Sequence, residues 1–280
     1  MVKRRRLLGL LIATLLTGAV PPAASRDLCP AEQGCKVAEG RYRLIVPPAY
    51  SEGAALGAII FFHGYQGSAE ETASDPALLA AAARLGVALV APDGQGRTWS
   101  YPGSPGRYRD EFAFVAHVLD DVSARFPVDP KRIMASGFSQ GGSMVWYLAC
   151  LMPERFRAFA PIAGAFWEPL PSSCAHPRPP LIHVHGLADA TVPLAGRRLP
   201  SGYEQGDTFE SFAILDPAAR RIRPSIAASG DRDLSCHSLT ANPQAPVLEL
   251  CLHAGGHVIE AAWIERAWRH MMEDHVSVKP

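Results

Sequence analysis

Two hydrophobic periods alternate along the chain. Short, almost continuously apolar runs read as strands: RYRLIV (41–46), GAIIFFH (57–63), GVALVAP (86–92), RIMASGF (132–138), FRAFAPIAG (156–164), PLIHVHG (180–186) and PVLELCL (246–252). Between them, DPALLAAAARL (75–85), EFAFVAHVLDDVSARF (111–126), GGSMVWYLACLM (141–152) and IEAAWIERAWRHMMEDH (259–275) carry helical spacing. A strand that is apolar on both sides must be covered on both sides, and strands separated by helices pair in parallel. The pattern therefore predicts an α/β fold over residues 26–280, a single domain with a mostly parallel sheet and helices on both faces. No repeat, low-complexity tract or interdomain linker interrupts it. The weakest periodicity falls at 194–235, rich in Arg, Pro, Gly and Ser, which reads as a lid-like excursion with a helix at GDTFESFAIL (206–215).

The first 25 residues stand apart. A basic VKRRR (2–6), an apolar LLGLLIATLLTGAV (7–20) and the small residues Ala23-Ala24-Ser25 form a secretory signal peptide, too short in its apolar run to span a bilayer. The arginine run leaves the export route open between the general and twin-arginine pathways. The whole chain carries 27 Lys+Arg and 27 Asp+Glu. Removing the leader takes four cations away and leaves a mildly acidic mature chain, which argues against nucleic-acid or anionic-membrane partners. Six cysteines (29, 35, 150, 174, 236, 251) in an exported chain point to disulfides. Sequence proximity favours Cys29–Cys35, Cys150–Cys174 and Cys236–Cys251. The absence of any CxxC pair weakens a metal-binding alternative.

The candidate chemistry centres on Gly137-Phe138-Ser139-Gln140-Gly141, a G-x-S-x-G set between a predicted strand and a predicted helix. In that context a tight turn presents the serine hydroxyl above the sheet edge, with backbone N–H groups beside it. A serine hydroxyl needs a base and an orienting acid, in the chain order Ser, acid, His. His257, in the HAGGH loop between the last strand and the last helix, is the expected base; His253 reads as structural. Asp189, just past the HVHG strand end, is the expected acid, with Asp207 and Asp216 in reserve. The amides of Tyr65, after His63-Gly64, and of Gln140 are the expected oxyanion donors. His63 reads as a loop-ordering residue. His183 and His185 share a strand face as metal ligands can, but without an evident third ligand they read as core histidines, so no metal or cofactor is expected. Trp99 and Tyr101, on a loop at the C-terminal sheet edge, are expected to contact substrate.

These residues resemble a known family. FFHGYQGS, APDGQGRTWSY, RDEFAFVAHVLDDVSARFPVDPKRIMASGFSQGG, HVHGLADATVPLAGR and HAGGHVI look like exported esterases of the poly(3-hydroxybutyrate) depolymerase-like type, relatives of feruloyl and acetylxylan esterases among the α/β-hydrolases. The likeness runs from about Arg41 to His257. It implies an α/β-hydrolase fold, a nucleophile at Ser139, an acid at Asp189, a base at His257, and oxyanion donors at the Tyr65 and Gln140 amides. Two local features depart from the family: Tyr65 stands where many relatives have cysteine, and no Trp-Pro follows His257. The absence of an appended linker and polymer-binding module makes soluble 3-hydroxybutyrate oligomers or small esters the expected substrates, rather than solid polyester. Feruloyl or acetylxylan esters, acyl transfer, peptide hydrolysis and a catalytically idle binding protein are the competing readings. The expected location is secreted or periplasmic, with no membrane insertion after leader removal.

Overall fold

The computed structural model describes residues 24–175, 177–222 and 234–273. The leader expected over 1–25 lies, except for Ala24 and Ser25, outside the described residues. The strands are β1 (Arg26–Asp27), β2 (Cys35–Val37), β3 (Gly40–Val46), β4 (Leu56–Phe62), β5 (Ala88–Pro92), β6 (Val128–Phe138), β7 (Ala158–Ile162), β8 (Leu181–Gly186), β9 (Arg197–Arg198), β10 (Glu204–Gln205), β11 (Ser235–Ser238) and β12 (Leu248–His253). The helices are α1 (Ala69–Ser74), α2 (Pro76–Leu85), α3 (Glu111–Arg125), α4 (Gln140–Leu151), α5 (Thr208–Leu215) and α6 (Ala261–Trp268).

The main sheet runs β1-β3-β5-β4-β6-β7-β8-β12-β11, with β2 attached to β3. From β5 to β12 every neighbouring pair is parallel, and the antiparallel pairs sit at the two margins. The apolar runs thus do what a parallel sheet requires, because helices cover both faces. On one face α3 and α4 pack through Phe114, Val118, Trp146 and Tyr147. On the other, α2 and α6 pack through Leu78, Ala82, Trp263, Ile264 and Trp268.

Local chemistry sets the helix boundaries. The Asp75 side chain accepts from the Ala77 and Leu78 amides, Pro76 opens α2, and Gly86 closes it at φ 65°. Asp110 caps α3 in the same way, through the Phe112 and Ala113 amides. The short helix α1, not anticipated from periodicity, begins at a capping motif in which the Ser68 hydroxyl accepts from the Glu71 amide. The strand β6 starts at Val128 rather than Arg132, because the polar Asp129-Pro130-Lys131 step hides its first turn of pairing; the register against β4 shifts at that point. Helix α4 has no polar face: every residue from Gln140 to Cys150 is buried. Its second face is covered by Tyr101, Phe166, Trp167 and Phe212, which come from loops and α5.

The weakly patterned stretch at 194–235 is not one loop. Residues 197–205 form the β9–β10 ribbon, bridged to Trp167 through Gln205. Helix α5 falls inside the predicted 206–215 and is capped by Asp207. Residues 223–233 lie outside the described residues, and β11 returns as the edge strand beside β12. The last helix is shorter than its pattern: α6 begins at Ala261 after Glu260, ends at Trp268 and continues as a π-turn over Arg269–Glu273, and residues 274–275 lie outside the described residues.

The three disulfides are Cys29–Cys35, Cys150–Cys174 and Cys236–Cys251. The last joins directly opposed residues of β11 and β12. Leu248, Leu250 and Leu252 of β12 face one core and Cys251 the other, as strand alternation requires. Among the described residues, no helix is long and apolar enough to cross a membrane.

Candidate active site

Ser139 occupies the single-residue corner between β6 and α4, at φ 58° and ψ −119°. This is a conformation that non-glycine residues adopt at a cost of about 1–3 kcal/mol, held only where neighbours over-determine it. Here the neighbours do. A Cβ on Gly137 would come 2.6 Å from the Gly141 carbonyl oxygen, and a Cβ on Gly141 would overlap the Phe62 carbonyl oxygen. The two glycines are thus required by close backbone approach of β4 and α4. Ser139 stands at the N-cap of α4, but its side chain makes no capping hydrogen bond. The fold forgoes about 1 kcal/mol of helix capping and leaves the hydroxyl free to point elsewhere.

It points at His257. The Ser139 Oγ lies 2.8 Å from His257 Nε2, and His257 Nδ1 lies 2.7 Å from Asp189 Oδ2. The other Asp189 oxygen, Oδ1, accepts from the Thr191 and Val192 amides at 2.9 and 2.8 Å. With its side chain fully buried and both oxygens occupied, Asp189 is locked in orientation. His257 rests against the Phe138 ring, 4.6 Å between centroids, and keeps a solvent-facing edge. Three residues separated by 50 and 68 positions are brought together because β6, β8 and β12 run parallel, so all their C-terminal ends open at one sheet edge.

The reserve acids are elsewhere. Asp207 caps α5, and Asp216 holds Arg178 at 2.7 Å. His253 is buried, accepts from the Gly255 amide and packs on Trp263; burial lowers its pKa. His183 and His185 are both fully buried and bonded to each other, Nε2 to Nδ1, at 2.8 Å. His185 Nε2 donates to the Val192 carbonyl, and burial pushes both imidazoles toward the neutral form. They support the Asp189 loop from beneath rather than form an open ligand pair.

The loop His63–Gly67 lies across the front of the serine. A Cβ on Gly64 would sit 3.6 Å from the Ser139 Cβ, in ordinary contact with it, so its absence keeps space open beside the hydroxyl. His63 fixes this loop: its Nδ1 donates to the Gly64 carbonyl, its Nε2 accepts from the Gly94 amide, and burial lowers its pKa. Tyr65 is exposed and borders the site. Gln140 opens α4, so its amide has no carbonyl of a preceding turn to bond. The Gln140 side chain is held by the Thr98 hydroxyl at 2.7 Å.

Trp99 and Tyr101 do not meet the substrate-lining expectation. Both are buried, at 0% and 1% exposure, and neither lines the cavity beside Ser139. Trp99 lies edge-on to Phe62 and donates through Nε1 to the His63 carbonyl at 2.8 Å; Tyr101 stacks on Tyr147 at 4.8 Å. The apolar surface offered by β4 and α4 draws both rings inward, where they back the site wall.

The cavity itself, about 410 Å³, is bordered by Tyr65, Gln140, Ser143, Trp167, Arg197 and Leu199. Apart from Tyr65 and Gln140, none of these was singled out from sequence. Trp167 carried the available signal, since it follows β7 on the same sheet edge as the other site loops. Ser143 lies one helical turn after Ser139 and accepts from Trp167 Nε1 at 3.2 Å. Arg197 and Leu199 belong to the ribbon that the sequence pattern left undefined.

A family model described as "Putative esterase" matches residues 38–190, more than half of the chain. "Putative esterase NocK" of Nocardia uniformis subsp. tsuyamanensis is 32% identical over 75% of this chain and 67% of its own length. "Probable feruloyl esterase C" of Aspergillus terreus is 27% identical over 71% of this chain and 72% of its own. Among solved structures, the Staphylococcus aureus fluorophosphonate-binding serine hydrolase FphF covers 90% of this chain and 100% of its own, with a TM-score of 0.53 at 14% identity, a likeness of fold. With the parallel sheet, the strained serine corner and the family match together, the chain belongs to the esterase family and is an esterase of the α/β-hydrolase fold.

Proposed function

We propose that Ser139 is the nucleophile, His257 the general base and acid, and Asp189 the group that orients His257. The observation that carries the proposal is the continuous chain of hydrogen bonds from Ser139 Oγ through the His257 ring to Asp189, at 2.8 and 2.7 Å. Ser139 Oγ attacks the ester carbonyl carbon while its proton passes to His257 Nε2. The carbonyl oxygen becomes an oxyanion, accepted by the amides of Tyr65 and Gln140. His257 then returns the proton to the leaving alcohol oxygen, and an acyl-serine forms. Water repeats the sequence: its proton goes to His257, its oxygen joins the acyl carbon, and Ser139 leaves with the proton. Asp189 accepts from Nδ1–H throughout, which fixes the tautomer and stabilises the imidazolium.

The substrate reading is a soluble carboxylic ester small enough to enter a cavity of about 410 Å³, with short 3-hydroxybutyrate oligomers first. A second reading, a feruloyl-type ester, is favoured by the relative named feruloyl esterase C, matched over about seven-tenths of both chains. Export from the cytoplasm is supported by the three disulfides, which persist in oxidising compartments, and by the leader-like pattern of residues 1–25. The test is hydrolysis of 3-hydroxybutyrate trimer and methyl ferulate by oxidised protein, with Ser139→Ala as control. Turnover of either that disappears in Ser139→Ala supports the mechanism, and the preferred substrate selects between the readings. Equal turnover by both proteins would reject Ser139 as nucleophile.

A further inference from the structure

The wall of the active-site cavity is neutral except at one point. Tyr65, Ser143, Trp167, Leu199 and the other lining residues carry no charge, and Arg197 alone among the described lining residues is ionised. Its guanidinium is held but not neutralised. Nε–H donates to Gln205 Oε1 at 3.1 Å, and one Nη1–H donates to the Ala190 carbonyl at 3.1 Å. Both partners are uncharged, and among the described residues no carboxylate pairs with Arg197 within 4 Å. A guanidinium has five N–H donors, so three remain for another acceptor.

The support beneath Arg197 is firm. It sits on β9 directly opposite Gln205 of β10, which is itself buried and bridged to Trp167. The ribbon is tied down further by the Gly206 amide donating to the Phe166 carbonyl at 2.8 Å. Arg197 is itself exposed, and its two bonds hold the guanidinium at the rim of the cavity rather than leaving it to sweep through solvent. A planar, pre-oriented fork beside an apolar cavity is the arrangement that recognises a carboxylate.

We propose that Arg197 is the receptor for a free carboxylate carried by the substrate, so that the preferred esters are anionic. This rests on the esterase reading of Ser139 given above and narrows its substrate class. The carboxylate can come from two sources. It can lie on the acyl chain, as in the monoester of a dicarboxylic acid, or on the leaving group, as in a dimer of a hydroxy acid. In either case hydrolysis adds water across the ester, and the second carboxylate takes no part in the bond changes.

The experiment compares kcat/KM for two charged esters with those of their neutral counterparts: methyl hydrogen glutarate against methyl pentanoate, and 3-hydroxybutyrate dimer against its methyl ester. A charge-assisted pair of this kind gives a preference of about tenfold or more. The expected result is such a preference for at least one charged ester, falling toward unity in Arg197→Gln and partly kept in Arg197→Lys. The pair that shows it identifies the source. Ser139-dependent turnover with no preference for either charged ester would overturn the anion site and leave the esterase reading standing. A separate measurement needs no turnover: glutarate binding to Ser139→Ala protein by calorimetry, expected to weaken about tenfold when Arg197→Gln is added. If none of the four esters is hydrolysed, the esterase reading fails, and the glutarate measurement alone decides the anion site: no difference between the two proteins refutes it.

Discussion

Replacing Asp189 with asparagine tests the proposed site most sharply, because the structure dictates how the new side chain must sit. Asp189 Oδ1 accepts two backbone N–H groups, from Thr191 and Val192, at 2.9 and 2.8 Å. An asparagine keeps its carbonyl oxygen there, since the amide nitrogen cannot accept. The NH₂ group is thereby aimed at His257 Nδ1, where Asp189 Oδ2 now accepts at 2.7 Å. His257 must then carry its proton on Nε2, the atom that should receive the proton of Ser139. Losing the charge-assisted bond removes about 1.5–3 kcal/mol. Forcing the productive tautomer against an opposing N–H costs about 2 kcal/mol more, the scale of an unsatisfied buried donor. At 1.36 kcal/mol per decade, kcat should fall about 10³-fold or more. Folding should change little, because the size of the side chain and both backbone bonds are kept. The assay is kcat and KM by pH-stat on a small soluble ester, with nitrogen NMR of the His257 ring to read its tautomer. A variant within tenfold of the parent, or one whose His257 keeps its proton on Nδ1, would refute the role given to Asp189.

Three further outcomes follow from the packing. Gly141→Ala should cost at least about 3 kcal/mol or prevent folding, since its Cβ would overlap the Phe62 carbonyl oxygen and approach that of His63 at 2.5 Å; thermal unfolding measures this. His183, whose pKa burial holds well below its ordinary value, stays neutral in the fold but charges when unfolded. The unfolded chain binds more protons below its own pKa of about 6.5, so this group's stabilising contribution is present above that pH and lost as pH falls, at about 1.4 kcal/mol per pH unit. Unfolding midpoints from pH 8 to 5 should therefore fall more steeply for the parent than for His183→Gln. Removing the Cys150–Cys174 bridge by a double alanine substitution should destabilise by about 3 kcal/mol, as expected for closing a loop of its 24-residue span, read by denaturant unfolding under oxidising conditions.

What the sequence determined by itself was local or periodic. Near-continuous apolar runs such as GAIIFFH and PLIHVHG specify strands buried on both faces, hence a parallel sheet, hence loops that gather at one edge. Gly137 and Gly141 around Ser139 mark a corner too tight for side chains, and β6 and α4 form on either side of it. Ser139, Asp189 and His257 could be singled out because each falls within four residues of the end of a recognisable strand, which places it at that edge. The short elements α1, β9, β10 and β11 were not legible, because two to six residues cannot display a period.

Only the tertiary structure decided which side chains face the cavity. Trp99 and Tyr101 sit on a loop at the right edge, yet turn inward onto Phe62 and Tyr147, where apolar area is available. Trp167, Ser143 and Arg197 take the wall instead. Whether a loop side chain points in or out depends on contacts made by distant segments, and no pattern within the loop encodes it. The bond from His257 to Ser139 spans 118 residues and exists only once the whole sheet is assembled. Position along the chain thus predicted which residues meet at the sheet edge. The shape and charge of the space that receives a substrate required the packed fold.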